Sequence, residues 1–296
     1  MQLDNFIIMV FCCVDEILGE ITREPLRKRG FLPKLSDEEQ ITIEIIGEFL
    51  NLSDDKAIWR YFKQHWKDFF PALGSRSTFV RQSANLWYVK QIILQNLSGK
   101  LGAANNFVHI VDGFPLPICR FCRANFCRLF KGEAAYGYCA TKKETYYGFK
   151  GHLLIDSRGV ITGFSLTPSN VDERDVVPEL TDNIKGWLIG DKGYIRPLLK
   201  DELEMKFVYL ETPLRNNMLD KRPPQFVKRL NRQRRIVETV IGQLQDRFNI
   251  ASSKARDLWH LTNRINRKLL AYTISIWANM VARSGSVLDF EGLVTV

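Results

Sequence analysis

No apolar run in this 296-residue chain approaches the roughly 18 residues that a membrane-spanning helix requires. Phe6 to Val14 is apolar but short, has no basic flank before it, and runs directly into Asp15-Glu16. Neither a signal peptide nor an anchor is expected there. Cysteines number six, and Cys12-Cys13 are adjacent and poorly suited to pair with each other. They read as reduced thiols of an intracellular protein. The chain has no Gly-rich phosphate loop and no credible Ser/His/Asp set, which removes nucleotide-phosphate cradling and triad-type acyl transfer as readings. Internal repeats and low-complexity stretches are also missing.

What is present is the balance of a globular protein with a real core: 45% hydrophobic and 25% charged residues. The length allows one large domain or two smaller ones. The net charge of +9 is unevenly placed. Residues 1–100 carry 13 Lys/Arg against 13 Asp/Glu, whereas residues 101–296 carry 29 against 20. Between Pro213 and Arg235, eight basic residues (Arg215, Lys221, Arg222, Lys228, Arg229, Arg232, Arg234, Arg235) face Asp220 alone. Such a patch suits a polyanion, because phosphate contacts dominate nucleic-acid affinity, although a solvated basic loop would look the same.

Periodicity divides the chain. In the first hundred residues Ser36-Asp37-Glu38-Glu39 is a capping box, and Ile41, Ile45, Ile46, Phe49 and Leu50 follow at helical spacing. Trp59, Phe62, Trp66 and Phe69-Phe70 continue the helical pattern to Pro71. Ser75-Arg76-Ser77-Thr78 opens another helix, and Gly and Ser within Leu97–Gly102 mark a boundary. A helical region is therefore expected over 1–100. From about 105, strands and helices alternate. Strands are expected at Phe107–Val111, Tyr146–Ile155, Val160–Leu166, Trp187–Ile189 and Phe207–Leu210, with Asp156-Ser157-Arg158-Gly159 as a hairpin turn. Helices are expected at Pro168–Leu180, Ile195–Met205, Gln233–Phe248 and Leu258–Ala282, the last packing across the sheet. The layout over 101–296 is mixed α/β.

Three acids stand out in that second region. Asp112 closes Phe107–Val111 and precedes Gly113, and Asp191 closes Trp187–Gly190 and precedes Lys192-Gly193. Glu238 follows on a basic helix, at the edge of an apolar face made by Val237, Val240, Leu244 and Phe248. Each taken singly reads as an ordinary turn or surface residue. Together, carboxylates on separate elements are what divalent cations need, since hard cations take oxygen ligands from several directions.

The blocks Ile110-Val111-Asp112-Gly113-Phe114-Pro115, Tyr147-Gly148-Phe149-Lys150-Gly151-His152, Pro168-Ser169-Asn170-Val171-Asp172, Ile189-Gly190-Asp191-Lys192-Gly193-Tyr194 and Arg234-Arg235-Ile236-Val237-Glu238-Thr239-Val240 resemble the DDE transposases of bacterial insertion sequences, insertion-sequence family 982 among them. The resemblance covers nearly the whole chain. It implies an RNase H-like catalytic domain over 101–296, with Asp112, Asp191 and Glu238 as catalytic residues and metal ligands for two Mg²⁺ ions, for which Mn²⁺ would substitute. It implies cleavage of DNA strands at element ends, transfer of those strands into target DNA, and a homodimer in the active complex. The 1–100 region would bind element ends or dimerise. The chain would be cytoplasmic and nucleoid-associated, with no membrane partner.

Candidates to contact double-stranded DNA, at the terminal inverted repeats and the target, are Lys142, Lys143, Lys150, Lys192, Arg215, Lys228, Arg229, Arg232, Arg234 and Arg235. His152 is a candidate to contact a metal-bound water. Related transposases often carry Tyr, Arg, Glu and Lys where this chain has Asn231, Arg234, Glu238 and Gln245. Two of the four match. The spacing Cys119-x₂-Cys122-x₄-Cys127-x₁₁-Cys139 has only one clean Cys-x₂-Cys pair, so zinc is not expected. Arg120, Arg123 and Arg128 make that stretch a DNA-facing insertion instead. A metal-dependent nuclease or resolvase without strand transfer, and an inactive DNA-binding relic, stay open as alternatives.

Overall fold

The computed structural model describes residues 1–21, 32–52, 54–140, 142–252, 254–282 and 286–295. The chain forms two compact units, Met1–Leu97 with Asp246–Val296, and Ser98–Gln245. Among the described residues no helix is long and apolar enough to cross a membrane.

The first unit contains helices α1 (Leu3–Ile21), α2 (Asp37–Phe49), α3 (Asp55–His65), α4 (Arg76–Asn85) and most of α5 (Trp87–Lys100). The expected capping box starts α2: the Glu39 N–H donates to Ser36 Oγ at 3.1 Å, and the Ser36 N–H donates to Glu39 Oε2 at 2.8 Å. The second unit holds β1 (Val108–Arg120), α6 (Phe121–Ala124), β2 (Ala135–Cys139), β3 (Glu144–Asp156), β4 (Ile161–Pro168), α7 (Glu173–Leu180), β5 (Gly186–Ile189), α8 (Pro197–Met205), β6 (Val208–Glu211) and α9 (Pro224–Asp246). The closing helix α10 (Leu258–Ala282) returns to the first unit.

In the second unit the sheet runs β2-β3-β1-β5-β6. The outer edge of β3 is shared, with Glu144–Gly148 pairing with β2 and Phe149–Ile155 pairing with β4. Strands β1, β3 and β4 are antiparallel, and β1, β5 and β6 are parallel, joined through α7 and α8. This mixed sheet is the expected RNase H-like arrangement. One face buries Val111, Leu154, Leu188 and Leu210 under Val177 of α7 and Leu199 and Leu203 of α8. On α9, Val237, Val240 and Leu244 are buried, as the helical spacing predicts.

The β3–β4 hairpin turns where expected. Gly159 takes a φ of 93°, which suits glycine. The buried Asp156 carboxylate accepts from the Arg158 and Val160 N–H groups at 2.8 and 2.9 Å.

Several sequence expectations are corrected. Strand β1 does not stop at Val111 but runs to Arg120, because β3 pairs with it along nearly its whole length. Helix α9 begins at Pro224, nine residues before Gln233, so most of the basic segment is helical. Proline at a helix start costs nothing, and Lys, Arg and Gln are good helix formers. Strand β2, in the cysteine-rich stretch, is an additional element.

The expected unit 101–296 loses residues 246–296 to the helical unit, and α10 packs against α2 and α4 rather than across the sheet. The reason is charge. Arg267 on α10 reaches Glu48 at 2.6 Å and Asp55 at 2.7 Å, and Lys268 reaches Glu48 as well. Lys90 on α5 pairs with Glu44 and donates to Asn263 of α10 at 2.6 Å. Buried acids need buried cations, and α10 supplies them.

Burial alone would raise the Asp55 carboxyl, but Arg267 and Arg264 hold it below its ordinary value of 3.8. Its stabilising contribution is therefore present above pH 3.8 and lost as the pH falls below that value. Replacing Arg267 by Met should cost the helical unit on the order of 3 kcal/mol and flatten the acid limb of its stability curve. Urea unfolding followed by tryptophan fluorescence between pH 3 and 7 measures both, since five of the six tryptophans (all but Trp187) lie in that unit. Unchanged midpoints would show that the network is not stabilising.

Candidate active site

The ladder between β1 and β5 is short: Val108, His109 and Ile110 pair with Trp187, Leu188 and Ile189. Asp112 lies two residues past Ile110, and Asp191 two residues past Ile189. Both acids therefore come off the same end of this ladder at the same level, and the charge of Asp191 bears on Asp112. Past Ile110 this edge of β1 is no longer paired with β5, and Pro115 and Pro117 sit there, as prolines do at sheet edges.

Each aspartate is held by the backbone. Asp112 Oδ1 accepts from the Gly113 N–H at 2.8 Å, and Asp191 Oδ1 accepts from the Gly193 N–H at 2.6 Å. Asp191 thereby caps a single 3-10 turn, Lys192–Tyr194. Among the described residues neither carboxylate spends its second oxygen on a hydrogen bond.

The Asp112 carboxyl is pushed up to about 7. Burial is the main cause; the Gly113 N–H opposes it, the charges of Asp191 and Glu173 add to it, and Arg234 opposes it. Glu173 was not among the acids expected here. It is the first residue of α7, and its carboxyl carbon lies 2.8 Å from where a Cβ on Gly113 would stand. Lys150 pairs with it at 3.2 Å. Tyr194 is fully buried; its hydroxyl lies beside the Glu173 carboxylate, the charges of Glu173, Asp112 and Asp191 bear on it, and among the described residues it makes no hydrogen bond of ordinary geometry.

Glu238 is turned elsewhere. Its carboxylate pairs with Arg234 at 2.6 Å, one turn back on α9, and its side chain is 48% exposed. Arg234 is thus the link between Glu238 and Asp112. Among the described residues no three Asp, Glu, His or Cys side chains stand ready to enclose a cation. The donor chemistry nevertheless fits a divalent cation: hard carboxylate oxygens, free lone pairs and mutual repulsion that a cation would relieve.

His152 faces Gly113 across the β1–β3 ladder and is buried, with Nε2 2.8 Å from Thr167 Oγ1. Burial, then Lys150, pushes it down to about 4, so the ring is neutral at pH 7.

Of the basic candidates, Lys192 directly follows Asp191 and is exposed, while Lys142 and Lys143 lie in the turn before β3. Arg215 is exposed in the loop after β6, and Lys228, Arg229, Arg232 and Arg235 are exposed along α9. Arg222, by contrast, is tied to Glu211 and Asp220.

A family model described as a transposase DDE domain matches residues 102–258, more than half of the chain. Among solved structures the chain is similar to the transposase in a cryo-EM structure of a piggyBac transposase synaptic complex with hairpin DNA. Identity is 12%, the TM-score is 0.50, and the match covers 98% of this chain and 76% of that one. At that identity the likeness is one of fold. No curated protein matches the chain.

The raised Asp112 carboxyl has a thermodynamic sign. A carboxyl raised from 3.8 to about 7 favours the folded protein below pH 3.8, and that advantage is lost as the pH rises through 7. Replacing Asp112 by Asn should therefore stabilise the metal-free protein at pH 8. An effect of roughly 1.5 kcal/mol, discounted for screening, corresponds to roughly 3–6 °C in melting temperature. At pH 4 the two proteins should converge. Differential scanning calorimetry in chelator at both pH values decides the matter; equal melting at pH 8 would mean that Asp112 is not under electrostatic strain.

Proposed function

The chain belongs to the transposase DDE-domain family, and on that premise we propose that it cleaves DNA strands at the ends of an insertion element and joins them to target DNA. A DDE transposase is an enzyme of phosphoryl transfer on DNA. The observation that supports its operation at this site is the register of β1 and β5, which sets Asp112 and Asp191 level beside the basic helix α9.

In this reading Asp112 and Asp191 would hold the divalent ions through their free oxygens, and Glu238 would complete the ligand set after leaving Arg234. A pair of bound Mg²⁺ ions, or Mn²⁺ in their place, supplies activation of the attacking oxygen and stabilisation of the leaving oxygen in an in-line displacement. The protein's own groups do the rest. The Gly113 and Gly193 N–H groups fix the two aspartates in orientation. Arriving phosphate competes with Glu238 for the Arg234 guanidinium, because a phosphate offers the same fork of acceptor oxygens. The exchange would free a ligand and seat the DNA in one step. Lys192 and the exposed Lys228, Arg229, Arg232 and Arg235 contact phosphates on either side, with Lys142, Lys143 and Arg215 as outlying contacts.

The helical unit, made from both ends of the chain, would hold element ends or a second copy, because joining two ends calls for two active sites. A neutral, buried His152 suits packing against β4 better than proton transfer.

The test is cleavage of end-labelled duplex carrying the terminal repeats that flank the coding sequence, in Mg²⁺, by wild type and Asp191→Asn. Nicking at the repeat boundary should vanish in the variant while band-shift binding persists. Joining of the cut 3′ end to a second duplex should accompany cleavage in wild type. Cleavage without joining would leave a nuclease, and binding without cleavage by either protein would overturn the catalytic reading.

A further inference from the structure

The Asp112 centre contains one carboxylate too many for the Asp112–Asp191–Glu238 set. Glu173 opens α7, and its neighbours Asp172 and Asp175 are both neutralised: Asp172 by Arg174 and Arg196, Asp175 by Arg196. Glu173 instead turns its carboxylate onto Gly113, where its nearest oxygen lies 2.8 Å from the position a Cβ would take. The missing side chain at Gly113 is what lets it come next to Asp112. Among the described residues it pairs with Lys150, at 3.2 Å. Behind it, Tyr194 is wholly buried, and its hydroxyl, beside the Glu173 carboxylate, makes no hydrogen bond of ordinary geometry among the described residues. A buried donor beside carboxylates, left unmade, indicates a site completed by something else.

We propose that Glu173 is a fourth metal-binding carboxylate of this centre. The inference rests on the metal-dependent reading of Asp112 and Asp191 given above. When a divalent cation binds, the Glu173 carboxylate exchanges the Lys150 ammonium for the ion, and the Tyr194 hydroxyl donates to its remaining oxygen. Gly113 is then a requirement of the metal site, since any side chain there displaces Glu173.

Mn²⁺ binding to the purified full chain, without DNA, tests this by isothermal calorimetry and by loss of the free-ion electron paramagnetic resonance signal. Glu173→Gln should weaken binding at least tenfold. Glu173→Asp keeps the charge but withdraws the oxygens by one methylene, and should weaken it nearly as much; a purely through-space effect would leave Glu173→Asp close to wild type and overturn the proposal. Lys150→Met should tighten binding, whereas a merely structural ion pair would make the Lys150 and Glu173 variants behave alike. Gly113→Ala should reproduce the loss with all four carboxylates intact, and melting in chelator checks that each variant is folded. Asp112→Asn separates the two levels. Loss of Mn²⁺ in Asp112→Asn with binding within twofold of wild type in Glu173→Gln would refute the role of Glu173 alone. Unchanged binding in both would refute the centre itself.

Discussion

Three rungs of parallel ladder, from Val108–Trp187 to Ile110–Ile189, fix where Asp112 and Asp191 stand. Were the pairing shifted by one residue, Leu188 would leave the buried face and Asp191 the level of Asp112. The register is held because the buried face fills with Val111, Leu154, Leu188 and Leu210 under α7 and α8. The same ladder must stop where it does. Continued past Ile110, it would leave no open edge at which Glu173 could reach Gly113 and α9 could bring Arg234 alongside. The hydrophobic core therefore sets the register, and the early end of the ladder leaves the space in which the acids meet.

The centre so formed is in electrostatic tension. Burial and two neighbouring carboxylates oppose the ionised form of Asp112, and Arg234 relieves only part of that. Groups arranged against their own solvation preference mark functional sites more often than structural ones. The pairing of Glu238 with Arg234 belongs to the same economy of charge. On the reading proposed above, a carboxylate meant for a cation is neutralised by an arginine suited to phosphate, and each would be released by the arrival of its partner.

Much of this was legible in the sequence where the physics is local. Asp112 and Asp191 each follow a short apolar run, and Ser36 and Glu39 spell their own cap. Tertiary pairing was the harder part. Strand β1 was cut short because its continuation, Phe114-Pro115-Leu116-Pro117, contains two prolines that an open edge tolerates and a local rule forbids. Glu173 was passed over because Asp172-Glu173-Arg174-Asp175 looks like a solvated helix start; nothing in that string says which acid turns inward. The one local hint was Gly113, a residue with no side chain directly after an acid. Helix α10 looks like sheet packing because its apolar residues dominate, yet Arg264, Arg267 and Lys268 call for acids, which Glu44, Glu48 and Asp55 provide, and Asn263 accepts from Lys90.

The helical unit is built from the two ends of the chain, with the sheet unit threaded between them. During synthesis the sheet unit is complete once residue 245 has emerged, whereas the helical unit must wait for residues 267 and 268. Until then Glu44, Glu48 and Asp55 have no buried cation from α10 to close on. A product truncated just after residue 245 would carry every acid of the candidate active site in a complete sheet unit, joined to a helical half whose buried acids lack the cations of α10.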